Sequence, residues 1–348
     1  MSVTLWFSNV MDIFRREAEK ELAEQSFQNR PLQYDLFQIS SVDLKSHISG
    51  GHLPAAKLER RETDWIGTAS LTLVKVVFEP RARQILHTTA DDLLELFRCL
   101  DLDPYMLYLM YRDVMGYHQV GVRQSIHFPN ESVYNFFVNV EPMKVLWSFN
   151  PANLTTKGII LPRYTRGGKA SCDDFCRLVE KYSPLMAHPV FPAFAAVLEV
   201  VAFSDKMINK VQQEVTKTEL ETGFSPWSLH VLYDFTKPKE LDKFIGRSQK
   251  MAASLVNLED VMRQTKMMQR IINALQESRD DFLSGATSDC AKMSMQTARE
   301  DIFQVLSLTR PRLEYADLYA NNLRERAKNQ LTVVSHLLRE NPYLAKMS

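Results

Sequence analysis

The sequence predicts an α+β fold in which an N-terminal α/β layer precedes a bundle of three long antiparallel helices. Three observations predict it. Between residues 32 and 163, short runs rich in Val, Ile, Phe and Thr are bounded by Gly, Pro and Asn, which is the pattern of β-strands. From Ser171 onward the apolar spacing becomes helical. Pro and Gly residues then separate the second half into three long segments.

The elements follow in chain order. Strands are predicted over residues 34–39, 69–78, 118–126, 133–140, 144–149 and 158–161. Helices interrupt them from Thr88 or Thr89 and over residues 104–115. A short helix is predicted from Asp173 to Tyr182, and the long ones over residues 188–222, 239–283 and 291–339. The chain therefore divides into an α+β subdomain, residues 1–170, and a long-helix bundle, residues 171–348, that carries the candidate site.

Composition excludes several classes of partner. The 348 residues hold 42 Lys and Arg against 42 Asp and Glu, so no broad basic surface for nucleic acid is expected. The longest apolar run, residues 189–203, is shorter than the roughly 20 residues that span a bilayer. We therefore expect no membrane span. The N-terminus lacks the pattern of a signal peptide, which predicts a cytoplasmic protein.

A single carboxylate, Glu199, lies within this apolar run. A helix that is apolar on all sides is buried, and a buried carboxylate must be paired, protonated or bound to a metal ion. Two interpretations stay open: a structural Glu hydrogen-bonded inside the bundle, and a functional metal ligand.

Helix register favours the functional interpretation. If the first two long helices meet in a connection centred near residue 231, Glu199 is level with residue 263, because both helices rise equally per residue. A second connection centred near residue 289 makes residue 266 level with residue 312. Pro311 at the same level is expected to kink the third helix. This layer would bring together carboxylates (Glu199, Glu314, Asp317), cations (Arg263, Lys266, Arg312) and apolar or aromatic side chains (Met262, Phe203, Tyr315, Tyr319).

These residue types suit a magnesium-bound diphosphate that carries an apolar tail. Mg²⁺ takes carboxylate and phosphate oxygens, Arg and Lys neutralise phosphate, and aromatic faces stabilise cations. The alternative is that the charged side chains form a solvated face with ordinary helix ion pairs.

Several segments carry a resemblance to a known family. They are residues 326–334 (RAKNQLTVV), residues 146–151 (LWSFNP), residues 156–161 (TKGIIL) and residues 187–189 (AHP). Together they resemble the soluble domain of fungal CorA-like magnesium-transporter homologues, over roughly residues 146–338. The resemblance implies a CorA cytoplasmic-domain-like fold. The family's two C-terminal apolar helices and its Gly-Met-Asn signature are missing, so ion conduction is not expected.

A second resemblance concerns proteins related to this family that have no membrane segment. Met262 and Lys266 lie one helical turn apart, and this pair is similar to one in the atypical humulene synthases of tropolone sesquiterpenoid pathways. The resemblance implies a lyase that converts farnesyl diphosphate to humulene with two Mg²⁺ ions. Lys266 would bind the diphosphate, and Met262 would favour the 2Z product.

The resulting hypothesis is a magnesium-dependent sesquiterpene cyclase. Its metal ligands would be Glu199, Glu314 and Asp317. Arg263, Lys266 and Arg312 would bind the diphosphate. The pocket for the hydrocarbon tail would consist of Met262, Phe203, Tyr315 and Tyr319. The alternative is a non-catalytic CorA-like protein that senses magnesium or acts as a scaffold. Assembly into a homo-oligomer is left open.

Overall fold

The computed structural model of the chain describes residues 34–40, 46–50, 69–76, 78–79, 85–86, 90–162, 173–223, 238–278 and 281–339. It is a mixed α+β structure, as predicted, and it divides into two compact units. Unit 1 comprises residues 1–200 and 270–307, and unit 2 comprises residues 201–269 and 308–348. This division cuts across the long helices, whereas the boundary after residue 170 stays a prediction.

Unit 1 contains the sheet. Its strands are β1 (Tyr34–Ser40), β2 (Ser46–Gly50), β3 (Ser70–Val76), β6 (Gly116–Gln124), β7 (Ser132–Val140), β8 (Met143–Asn150) and β9 (Thr155–Pro162). They lie in the order β2-β1-β3-β9-β8-β7-β6, and β4 (Phe78–Glu79) pairs with β5 (Ile85–Leu86) separately. β3 runs parallel to β9, while the antiparallel hairpins β6–β7–β8–β9 form the rest of that side.

Helices pack on one face of this sheet, and the chain at Pro189 contacts the other face. The helices α1 (Ala90–Cys99) and α2 (Tyr105–Tyr111) pack their apolar sides against Phe137, Leu146 and Ile159. Successive side chains point to opposite faces of a strand, so Trp147 lies on the other face, where its indole N–H donates to the carbonyl of Pro189 over 2.7 Å. Burial on both faces explains why β7 and β8 read as nearly continuous apolar runs.

The long helices agree closely with the sequence prediction. After α3 (Asp173–Lys181) and a short 3₁₀ turn come α4 (Phe191–Thr222), α5 (Pro238–Glu277) and α6 (Asp289–Arg339). The second helix ends six residues earlier than the predicted residue 283, and a 3₁₀ turn, Asp281–Gly285, follows instead. Pro311 lies inside α6 without ending it.

The helical part of unit 2 consists of the C-terminal part of α4, the N-terminal part of α5 and the C-terminal part of α6. Their facing sides share a core of Ile208, Val211, Val215, Met251, Leu258, Val261, Met262, Ala316, Ala320, Leu323 and Ala327. The guanidinium of Arg247, near the start of α5, binds Glu221, near the end of α4. The two helices therefore run antiparallel. Arg326 binds Glu219 with two hydrogen bonds of 2.7 and 2.9 Å, so α6 runs parallel to α4. The predicted antiparallel sequence of three helices is confirmed.

Within the part of the chain that the structure describes, no helix is both long and apolar enough to cross a membrane. This finding agrees with the expected absence of a span.

Candidate functional site

The predicted site residues fall in both units. Glu199 lies in unit 1, on α4, and only 6% of its surface is exposed. The sequence prediction that this carboxylate is buried is therefore confirmed, whereas its role as a metal ligand stays a prediction. The other predicted site residues lie in unit 2.

A polar seam joins α5 to α6 in unit 2, and we call it the Thr265 seam. It consists of Glu259, Met262 and Thr265 on α5, with Asp317, Asn321 and Arg324 on α6. The Thr265 hydroxyl lies 3.0 Å from the carbonyl of Met262 and 3.5 Å from Oδ1 of Asp317. Thr265 is fully buried. The Asp317 carboxylate is therefore held by Thr265, the residue that precedes Lys266 in sequence.

Arg324 lies at the end of the seam, two helical turns beyond Asp317 on α6. Its Nη1 donates to Glu259 Oε1 over 3.3 Å and lies 4.0 Å from the Met262 sulfur. Its Nε donates to Glu325 over 3.3 Å. Hydrogen bonding and charge from Lys328, and to a smaller extent from Arg324, lower the pKa of the Glu325 carboxyl, so this carboxylate is held ionised.

The apolar residues of the predicted site are partly assembled here. Met262 is 5% exposed and belongs to the core of unit 2, and Tyr319 packs against the same core. The Tyr315 ring stacks on that of Tyr319 with centroids 5.9 Å apart, but Tyr315 itself is 66% exposed. Phe203 on α4 is half-buried. Met262 and Tyr319 therefore share one apolar cluster, and Tyr315 extends it toward solvent.

The predicted cations lie at the surface. Arg263 is 61% exposed and pairs with Asp260 of its own helix at 3.2 Å. Arg312, 59% exposed, pairs with Asp205 on α4. Lys266 and Glu314 are also exposed. Arg263 and Arg312 thus follow the alternative interpretation, in which helix ion pairs stabilise a solvated face.

The observed register explains this difference. The pairs Thr265–Asp317 and Glu259–Arg324 place residue 266 level with residue 316, which is one turn beyond the expected residue 312. Arg312 pairs instead with Asp205 on α4, a contact that depends on the lengths of both connections. A turn of error in the length of one connection is enough to exchange one set of partners for another.

Sequence reasoning missed Thr265 and Arg324, whereas it gave Glu259 and Asp205 as the residues that a one-turn error in a connection would bring in. A usable signal exists for Arg324, because it follows Asp317 by seven residues and thus lies two turns along the same face of α6. Glu259, Met262 and Thr265 likewise recur at intervals of three residues on α5.

A magnesium ion would need carboxylate oxygens as ligands. Among the described residues, no group of three or more His, Cys, Asp or Glu side chains is close enough to enclose a metal ion. Asp317 and Glu314 are three residues apart on α6 and so share a face. Mg²⁺ commonly takes only one or two carboxylates and completes its shell with water and substrate phosphates. Glu314 is exposed and Asp317 is half-buried, and their role as magnesium ligands stays a prediction.

Comparisons with known proteins add little. No family model matches the sequence, and no curated protein matches it. Among solved structures, the chain is similar to the soluble domain of CorA from Methanocaldococcus jannaschii, with 8% identity, a TM-score of 0.40 and coverage of 87% of this chain and 97% of that one. A likeness this distant does not bear on activity.

Proposed function

We propose that this chain is a magnesium-dependent sesquiterpene cyclase that converts farnesyl diphosphate to humulene, with the 2Z isomer favoured. In this reaction the carbon–oxygen bond to the diphosphate breaks and the diphosphate leaves with the electron pair. The remaining allylic cation closes a ring and loses a proton. The proposal draws on the sequence resemblance at Met262 and Lys266. The observation that carries it is the Thr265 seam, where the Asp317 carboxylate contacts Thr265, a residue between the two members of that motif.

Each residue of the proposed site has a chemical role. Lys266 would bind the diphosphate, since an ammonium group offsets the charge of phosphate oxygens. Asp317 and Glu314 would hold Mg²⁺, which would neutralise the charge that develops on the departing diphosphate. Glu199, which lies in unit 1, and the surface residues Arg263 and Arg312 have no role in the proposed site, although the sequence predicts one for each.

The apolar residues would shape the path of the tail. Met262 is buried at the centre of the unit 2 core, where a flexible thioether adapts to the contour of a hydrocarbon chain. The stacked rings of Tyr315 and Tyr319 offer aromatic faces that stabilise a carbocation. Phe203 completes the predicted set.

The experiment is turnover of farnesyl diphosphate by the wild-type chain and by Lys266→Ala, with folding checked by circular dichroism. We expect the variant to fold normally, because Lys266 is exposed and its truncation leaves no cavity. It should lose turnover, because the diphosphate loses its ammonium ligand. Full activity in the folded variant would contradict the assignment.

A second candidate is a non-catalytic CorA-like protein that senses magnesium or acts as a scaffold. One observation favours it: Arg263 and Arg312 are surface residues held in ion pairs with carboxylates, as in an ordinary solvated helix face. Its signature would be a magnesium-dependent change in oligomeric state without affinity for diphosphate, measured by sedimentation velocity.

A further inference from the structure

We infer that Arg324 is a diphosphate-binding residue of the Thr265 seam, an inference that rests on the proposed function. The first observation is its position. Arg324 is 27% exposed, and its Nη1 lies 4.0 Å from the sulfur of the buried Met262. A group bound at this guanidinium would therefore adjoin the residue that is proposed to contact the hydrocarbon tail.

The second observation is a contrast among the cations of unit 2. Arg263 is 61% exposed and is held by Asp260 one turn before it on α5. Arg312 is 59% exposed and is held across the bundle by Asp205. Arg324 is half as exposed as either, and it is the guanidinium with a described contact to Met262.

The third observation concerns the bonds that Arg324 makes. It uses Nε for Glu325 and Nη1 for Glu259, and among the described residues Nη2 has no hydrogen-bond partner. A guanidinium presents five N–H donors in a planar fork that matches phosphate oxygens. Nη2 therefore supplies N–H donors that a phosphate oxygen could accept.

The carboxylates that hold Arg324 can give way to a phosphate. Glu259 and Glu325 are 61% and 58% exposed, so their ion pairs with Arg324 contribute little in water. A diphosphate carries more charge and can accept two parallel hydrogen bonds from the fork. Arg324 is thus positioned before binding by weak partners that a diphosphate can displace.

The test is isothermal titration calorimetry with inorganic pyrophosphate, with and without Mg²⁺. Loss of a charge-assisted hydrogen bond should weaken binding by Arg324→Gln about tenfold or more, and Arg324→Lys should fall between Gln and wild type because it keeps the charge but not the fork. The matched control is Lys328→Gln, which removes one exposed positive charge and another partner of Glu325. We expect its affinity to stay within about twofold of wild type.

A second variant guards against misfolding. Glu259→Gln alters an exposed side chain and releases Nη1 of Arg324, so it should bind pyrophosphate severalfold more tightly than wild type. The control Glu300→Gln removes an exposed carboxylate elsewhere on α6 and should not. If Glu259→Gln and Glu300→Gln increased the affinity for pyrophosphate equally, the increase would come from the lower overall negative charge. That result would overturn the inference.

The outcomes separate this inference from the proposed function. If wild type binds pyrophosphate and Arg324→Gln binds equally well, Arg324 is not a ligand, while the cyclase proposal stands. If Arg324→Gln loses binding but wild type releases no hydrocarbon, the diphosphate site is supported and the cyclase reaction is wrong. Absence of pyrophosphate binding by wild type would overturn both.

Discussion

The buried hydroxyl of Thr265 lies 3.5 Å from Oδ1 of Asp317 and 3.0 Å from the carbonyl of Met262. One side chain thereby links the helix that carries the Met262–Lys266 motif to the helix that carries the proposed carboxylates.

Replacement of Thr265 tests the link directly. Thr265→Val keeps the shape of the side chain and removes the hydrogen bond to Asp317, so the carboxylate should lose its position. We expect kcat for sesquiterpene release to fall about tenfold, with KM nearly unchanged and stability lowered by about 1 kcal/mol. Thr265→Ser, which retains the hydroxyl, should restore most of the rate. Equal rates for the Val and Ser variants would contradict a positioning role.

Met262→Leu tests the tail pocket. The two side chains have similar volume, and such exchanges cost less than about 1.5 kcal/mol in a core. We expect the isomer ratio to shift from 2Z toward 2E humulene, because the side chain would contact the reacting hydrocarbon. Gas chromatography of the products measures the ratio, and Met251→Leu, another buried methionine of the same core, is the matched control. An unchanged isomer ratio in Met262→Leu would exclude a role for Met262 in setting the 2Z geometry of the product.

The Arg326–Glu219 pair should contribute strongly to the stability of unit 2. Two hydrogen bonds join the side chains, and they raise the pKa of Arg326. Because Glu219 is only 4% exposed, Arg326→Gln leaves a buried carboxylate unpaired and should cost about 3 kcal/mol. Arg98→Gln breaks an exposed pair and should cost less than about 1 kcal/mol. Urea unfolding measures both, and equal costs would refute the difference.

His188 predicts how stability depends on pH. Burial, and secondarily the charge of Arg299, lower its pKa from 6.5 to about 3, and the Val190 amide donates to its Nδ1. Between these values the unfolded chain binds one more proton than the folded chain, so stability falls as pH falls below about 6.5. We expect His188 to account for about 2 kcal/mol of loss between pH 7 and 4.5. His188→Gln should reduce that pH dependence, whereas the exposed His127→Gln should not.

The same slope in wild type and His188→Gln would show that other groups cause the acid sensitivity. Unfolding midpoints in urea at a series of pH values provide the comparison, and His127→Gln controls for the loss of a histidine as such.

The elements of this fold were predictable, whereas the partners of the charged residues were not. Strand β8 is visible in the sequence because burial on both faces leaves it rich in apolar residues, with Val145, Leu146 and Trp147 in succession. The burial of Glu199 follows from its apolar neighbours within a single helix. The partner of Arg312 depends instead on the lengths of two connections, and in the structure Arg312 pairs with Asp205 on α4. Arg324 was missed for the same reason, since its contact with Glu259 spans two helices.

The central claim is best tested by incubating the purified chain with farnesyl diphosphate, with and without Mg²⁺, and analysing the headspace by mass spectrometry. The proposed function predicts a sesquiterpene hydrocarbon that forms only when Mg²⁺ is present, with diphosphate released in equal amount. Intact farnesyl diphosphate under both conditions would contradict it and would leave the magnesium-sensing or scaffold protein as the better account.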